Sequence, residues 1–347
     1  MAVLVALLAA SHALIPESSF PLSTRGSHIV SADGTHAHLQ CGNWYGAHME
    51  THAVAGLHVR SLSNISAEIV RIGLNCVRLP MSLEMWFENP LVRPAAVEGD
   101  AVLLAAATGS PRLRALELFD RTVEALSAAG IAVLLNNHNS QSGWCCDVAS
   151  EEGLWSTSRY NASRWVEALA ALAARYRHLP LVFGIDLRNE IHDVAPAGLV
   201  TTWGTSSDLE TDWKVATEAA ALAIHRVAPD LLILVSGLCF SFDLRLLIAD
   251  PPRIPTPAKL VWTVHYCARA RLPNLPPPPP RHMGRGARAG GPRHPPPRGL
   301  PSSRAVSARQ AAAFSPPESR PKPHPLVRTT PTSRPRLQIP LPDAQPS

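Results

Sequence analysis

The stretch that decides the fold is "LVFGIDLRNE", residues 181–190. Its first half is an apolar run without polar alternation, the pattern of a strand covered on both faces, as in a parallel sheet. It closes on Asn189 and Glu190, a polar pair where the carboxyl end of the strand is expected. In parallel β/α folds that end is where the side chains of different strands meet. The stretch therefore predicts a buried strand delivering a carboxylate to a shared site.

Working outward, similar runs recur. Strand candidates are "HLQCGNWYG" (38–46), "NCVRLP" (75–80, stopped by Pro80), "IAVLLNNHN" (131–139), "LLILVSG" (231–237) and "KLVWTVHYC" (259–267). Between them lie helical patterns at 65–73, 113–130, 160–178 and 213–229, the first two ending on Gly73 and Gly130. In the third, Trp165, Leu169, Leu172 and Tyr176 share one face. Strands alternating regularly with helices argue for βα units. Six such units within residues 27–267, each strand ending in polar residues, predict an α/β fold of the (β/α)8 barrel type with about six units present. A dinucleotide-binding sheet is excluded because "CGNWYGAH" lacks the GxGxxG spacing, and no P-loop occurs.

The composition changes after residue 267. Residues 271–347 hold 21 of the 34 prolines and 13 of the 32 Lys and Arg, against two acids, Glu318 and Asp343. That stretch is formally +11 in a chain of +5, so residues 1–270 are −6 and the basic character belongs to the tail. Without apolar periodicity, 268–347 is expected to be a disordered Pro/Arg-rich segment. It suits an SH3-type ligand, a binder of acidic polymers, or the frame-shifted end of a GC-rich coding sequence. At the other terminus, an apolar run from Ala2 to Ala10 followed by Ser11-His12-Ala13 reads as a secretory signal cleaved after residue 13. Asn64-Ile-Ser and Asn161-Ala-Ser are compatible with secretion. The six cysteines, Cys41, Cys76, Cys145, Cys146, Cys239 and Cys267, contain no Cys-x-x-Cys spacing, so a structural zinc site is not expected, and sequence does not assign disulfide pairs.

The strand ends carry Asn43 and Trp44, Arg78, His138 and Asn139, Asn189 and Glu190, and His265 and Tyr266. Converging in one hollow, they make chemical sense together. Glu190 can act as a general acid if an apolar surround raises its pKa. Asn189 can hydrogen-bond a sugar hydroxyl beside the reacting carbon. Arg78, His138 and His265 can orient substrate and hold a second carboxylate. Trp44, and Trp144 and Trp155 in the loop after the third strand, could offer flat faces to sugar rings, with loop packing an equal alternative for the latter two.

With "VRLP", "LLNNHN", "GIDLRNE" and "VWTVHY" in that order, residues 27–267 resemble the cellulase-type family 5 glycoside hydrolases, the plant-type secreted members above all. The resemblance implies a TIM barrel and retaining hydrolysis of β-linked glycans such as cellulose or mannan. It implies Glu190 as acid/base with Asn189 beside it, pocket roles for Arg78, His138 and His265, and substrate contacts from Trp44, Asn139 and Tyr266. The expected partner is a β-linked polysaccharide or oligosaccharide at the cell wall or outside the cell, not nucleic acid or a membrane, and no metal or organic cofactor is implied. One departure dominates. Retaining hydrolysis uses two carboxyl groups about 5–5.5 Å apart. The family's nucleophilic Glu ends the seventh strand, and a Trp typically ends the eighth. Here Glu318 and Asp343 are the only acids beyond His265, both among prolines that bar a buried strand, and no Trp follows Trp262. Asp186 cannot substitute: four residues from Glu190 on one strand, it is about 13 Å away, and a buried structural hydrogen bond suits it better. No nucleophile is found, the chain is expected to be inactive, and two missing units would leave the sheet with open edges.

Overall fold

The computed structural model describes residues 14–145, 150–194 and 198–266. The signal expected at 1–13 and the tail expected at 268–347 lie outside the described residues, as do Cys146 and Cys267. A two-stranded antiparallel hairpin comes first, β1 (Ser23–Arg25) and β2 (His28–Val30). Then follow β3 (Cys41–Asn43), β4 (Cys76–Ser82), β5 (Ala132–Asn139), β6 (Val182–Asp186), β7 (Leu232–Ser236) and β8 (Leu260–Thr263). These six form one parallel sheet in sequence order, β3-β4-β5-β6-β7-β8. With its connecting helices it matches an incomplete (β/α)8 barrel whose outer strands, among the described residues, are β3 and β8.

The main helices are α1 (Leu62–Arg71), α2 (Leu83–Glu88), α3 (Ala101–Thr108), α4 (Ala115–Ala128), α5 (Ala162–Tyr176) and α6 (Trp213–Val227). Their starts are written locally. Ser61, Asp100, Asn161 and Asp212 each accept backbone N–H bonds from the first turn of the helix that follows. Gly73 and Gly130, at φ +87° and +75°, make the left-handed turns after α1 and α4. The stripe Trp165, Leu169, Leu172 and Tyr176 of α5 is wholly buried.

The strands sort their side chains by parity. Val77, Leu79 and Met81 of β4, Val133 and Leu135 of β5, and Ile233 and Val235 of β7 face the helical layer and join the main core. The opposite parity makes the barrel interior. At its amino end Cys76, Ala132, Leu134, Phe183, Leu232 and Leu234 pack around Leu22, which precedes the hairpin. The Leu22 carbonyl accepts a bond from Lys259 Nζ, tying this plug to the start of β8. Further along, the same interior face turns polar, with Arg78, Asn136, His138, Asp186 and Ser236, a register shift between Val182 and Gly184 in β6 bringing Asp186 onto the face that also holds Phe183. The interior is thus sealed with apolar side chains at the bottom and opens to hydrophilic groups at the top.

Two sequence expectations need correction. Pro80 does not stop the second strand; it pairs in register with Asn136, and β4 runs on to Ser82. On this strand the Arg78 carbonyl faces β3, accepting from Trp44 N, and β3 pairs no further than Arg78. Pro80 points its nitrogen toward that unpaired flank, so no ladder bond is lost. β6 ends at Asp186, not at Glu190. Leu187 N still bonds the Leu234 carbonyl and Asn189 N the Asn137 carbonyl, after which the chain turns sharply.

Candidate functional site

Arg78 organises the polar end of the interior. Its Nε and Nη2 both donate to Asp186 Oδ2, at 2.8 and 2.6 Å. Nη2 also donates to Asn189 Oδ1 at 3.0 Å and Nη1 to Asn43 Oδ1 at 3.3 Å. Asp186 Oδ2 takes a further bond from Asn136 Nδ2 at 3.1 Å. One guanidinium therefore links β3, β4, β6 and the turn carrying Glu190. The planar five-donor fork allows this where the point charge of a lysine would not. The sequence reading of Asp186 as a buried structural hydrogen-bonding group corresponds to what is seen, with Arg78 as its counter-ion.

Glu190 sits in the left-handed region at φ +47°, costly for a residue with a Cβ. The surroundings hold it there. His192 Nδ1 donates to the Glu190 carbonyl at 2.6 Å, and the His192 ring stacks on Phe240 with centroids 3.9 Å apart. Phe240 lies in a run of three left-handed residues, Cys239, Phe240 and Ser241, and its N–H donates to the Ile191 carbonyl. The Ser241 carbonyl accepts from His265 N. This turn after β7 thereby grips both the Glu190 turn and the end of β8, and His265 Nδ1 meets Glu190 Oε1 at 2.8 Å. Both side chains are about a quarter exposed, so the pair lies at an opening. A carboxyl group fixed beside an imidazole in a polar hollow can donate and accept a proton at a bound substrate.

His138 completes the group brought together. Its Nδ1 lies 2.9 Å from Asn136 Oδ1, and its ring packs against His48 with centroids 4.4 Å apart. Burial holds His138 well below the usual imidazole range, and the Arg78 charge acts the same way. Burial, with Arg78 second, lowers His48 to about 4. Both rings are neutral at pH 7, as expected for imidazoles that cannot be solvated beside a fixed cation.

Arg78, His138, Asn189, Glu190 and His265 thus form one connected cluster. The other three expected contacts do not join it. Trp44 is a correction: it is only 8% exposed, its indole N–H donates to the Ala55 carbonyl at 2.8 Å, and it has no free face. Asn139 is another: it is fully buried and its amide donates to the Gly143 carbonyl, fixing the loop after β5. Tyr266 points outward, 85% exposed, beyond the end of β8. Of the two loop tryptophans, Trp155 is core. It packs with Trp165 and Trp213 at centroid distances of 4.8–6.3 Å, and each indole N–H reaches an oxygen. Trp144 is exposed.

Sequence reasoning missed Arg188, His48 and Glu152. Arg188 is fully buried, paired with Glu152 at 2.9 Å and bonded to Asn137 Oδ1 at 3.1 Å. Glu152 in turn accepts from the N–H groups of Ser140 and Gln141. The legible signal was an arginine inside an apolar run, which demands a buried acid somewhere in the chain.

A family model, "Cellulase (glycosyl hydrolase family 5)", matches residues 31–270. A glycosyl hydrolase 5 family protein of Chamaecyparis obtusa is 32% identical over 274 residues, covering 75% of this chain and 47% of that protein. The major extracellular endoglucanase of Xanthomonas campestris pv. campestris is 31% identical over 262 residues, 74% of this chain and 47% of that one. The solved catalytic domain of the Xanthomonas enzyme superposes with TM-score 0.60 at 28% identity, over 70% of this chain and 68% of the domain. An endocellulase of Pyrococcus horikoshii, solved as a complex with cellotetraose, gives TM-score 0.60 at 25% identity over 72% and 70%. This chain spans about half the length of the curated relatives it matches.

Proposed function

This chain belongs to glycosyl hydrolase family 5, the cellulase family, and from that premise we propose that its interior hollow is the acid/base half of a retaining β-glycosidase site. In this reading Glu190 occupies the acid/base position facing the glycosidic oxygen, and His265 sets its orientation. Asn189, aligned by Arg78, hydrogen-bonds the sugar hydroxyl next to the reacting carbon, while neutral His138 lines the floor. The observation that carries the reading is the linked set Asp186–Arg78–Asn189 beside Glu190–His265. It spends a buried ion pair and a strained backbone on presenting one carboxyl group.

Among the described residues Asp186 is committed to Arg78 and Asn136 and Glu152 to Arg188, so neither serves as the second carboxylate that retention requires. As part of this reading, this 347-residue chain binds β-linked oligosaccharide without turning it over. The test is hydrolysis of β-glucan and β-mannan by the purified chain. Turnover that disappears in Glu190→Gln refutes the inactive reading, and absence of both turnover and oligosaccharide binding refutes the site. A secreted location is part of the proposal. The apolar run at 2–10 and a disulfide joining Cys41 to Cys76 on adjacent strands support it, because such bonds persist in oxidising compartments.

A further inference from the structure

The segment "HIVSADGTHAH", residues 28–38, holds three histidines that the site described above does not use. His28 opens β2. Past Val30 the chain turns back, and Val30 pairs with His36 as an antiparallel bridge. Ser31 N donates to the Thr35 carbonyl and Ala37 N to the Ile29 carbonyl, so the ladder extends to both sides of that bridge. Counted along it, His28 stands opposite His38. Side chains alternate between the faces of a strand, so His28, His36 and His38 share one face.

The rings meet accordingly. The centroids of His28 and His36 are 4.4 Å apart, and those of His36 and His38 4.2 Å. His28 Nδ1 lies 3.3 Å from His36 Nε2. Two imidazole nitrogens bound at ~2.0–2.1 Å to one tetrahedral zinc ion are about 3.3–3.4 Å from each other, so the observed spacing suits two ligands of one ion. All three residues are exposed, which lets an ion and its water reach them in the folded chain. The backbone beneath is held. Asp33 Oδ1 accepts from Thr35 N and from Thr35 Oγ1, and Arg25 Nη2 donates to the Gly34 carbonyl, which closes the turn. Asn75, just ahead of β4, donates to the His38 carbonyl and accepts from Gln40 N, tying the returning arm to the sheet. Ligands carried on a fixed ladder need little reorganisation to bind.

We infer that His28, His36 and His38 form a binding site for a divalent transition-metal ion of the zinc class, at the amino end of the sheet and away from the Glu190 hollow. His28 Nδ1 and His36 Nε2 supply two ligands. His38 supplies a third once its ring turns about its own side-chain bonds, and water takes the fourth position. Each neutral ring then keeps its one proton on the nitrogen facing away from the ion, so the ion replaces the contact between His28 and His36. Imidazole ligands suit zinc, copper and nickel ions, whereas calcium and magnesium require oxygen. An ion bound only by the folded hairpin stabilises the fold by mass action.

The test is calorimetric titration of the untagged full chain with zinc chloride, with calcium chloride as the comparison. The wild type is expected to bind one zinc ion in its tightest phase and to melt at a higher temperature with zinc than without. His36→Gln removes the ring that touches both others and is expected to weaken that phase at least about tenfold, since even the loss of a group behind a metal ligand costs this much. His28→Gln and His38→Gln are expected to weaken it in the same direction. The variant carrying all three changes separates this site from the other histidines among the 15 in the chain; it is expected to lose the tight phase and the thermal shift. The three side chains are exposed, and circular dichroism checks that each variant keeps its fold. Zinc uptake in the triple variant equal to the wild type overturns the site, as does a wild type that binds no zinc or binds calcium equally well. Unchanged affinity in His38→Gln overturns the third ligand.

Discussion

Replacing Arg78 by methionine should unfold the architecture of the site before it changes anything else. Arg78 and Asp186 keep only 12% and 3% of their side-chain surface in water, so the pair is buried. Methionine fills a similar volume but strands Asp186, whose Oδ2 keeps the bond from the Asn136 amide and loses both from the guanidinium. Breaking a buried pair on one side costs about 3–5 kcal/mol, because the surviving charge has lost both water and partner. For a domain of this size that lowers the melting temperature by roughly 10 °C. Adding Asp186→Leu removes the stranded charge. The double variant should regain most of the loss, because a well-packed apolar pair is often as stable as the ion pair it replaces. The assay is a double-mutant cycle from urea unfolding followed by circular dichroism. A loss below about 1 kcal/mol in the single variant, or a coupling energy near zero, would refute the view that this ion pair is desolvated and shared. The stabilised double variant should still bind oligosaccharide poorly, since Asn189 has lost the guanidinium that aligned it.

Three further outcomes are expected. His48 and His138 titrate below the usual imidazole range in the folded state, so below pH 6.5 the unfolded chain takes up protons that the folded one refuses; stability should fall from pH 6.5 toward pH 4, and His48→Gln should flatten that slope, measured by urea unfolding at each pH. Replacing Cys41 and Cys76 by alanine releases a loop of sequence separation 35 and should cost roughly 4 kcal/mol on the chain-entropy scale, read from the urea midpoint against the oxidised wild type. Trp44→Phe should cost about 1 kcal/mol through the lost bond to the Ala55 carbonyl yet leave cellohexaose affinity intact, and a drop in affinity would return Trp44 to the binding surface.

The alternation of apolar runs with helical stripes was readable one segment at a time, because a strand covered on both faces must be apolar throughout and a helix must repeat its buried face every three to four residues. "LVFGIDLRNE" thereby fixed a parallel sheet, and the polar endings of its neighbours placed Arg78, His138, Asn189, Glu190 and His265 at one end of it. Strand limits were less legible: Pro80 was compatible with a strand because its nitrogen faces a flank where β3 has ended, a matter of which neighbour is present rather than of local preference. The roles of the aromatic residues were not legible at all. Trp44, Trp144 and Trp155 are chemically alike, yet one is pinned under a loop, one stands in water beside Tyr45, and one lies in a three-indole core. Sequence determines which side chains a strand carries and on which side. Whether an indole meets solvent or another indole depends on loops packing across large separations in the chain, so the tertiary structure alone decided which rings are free to receive a ligand.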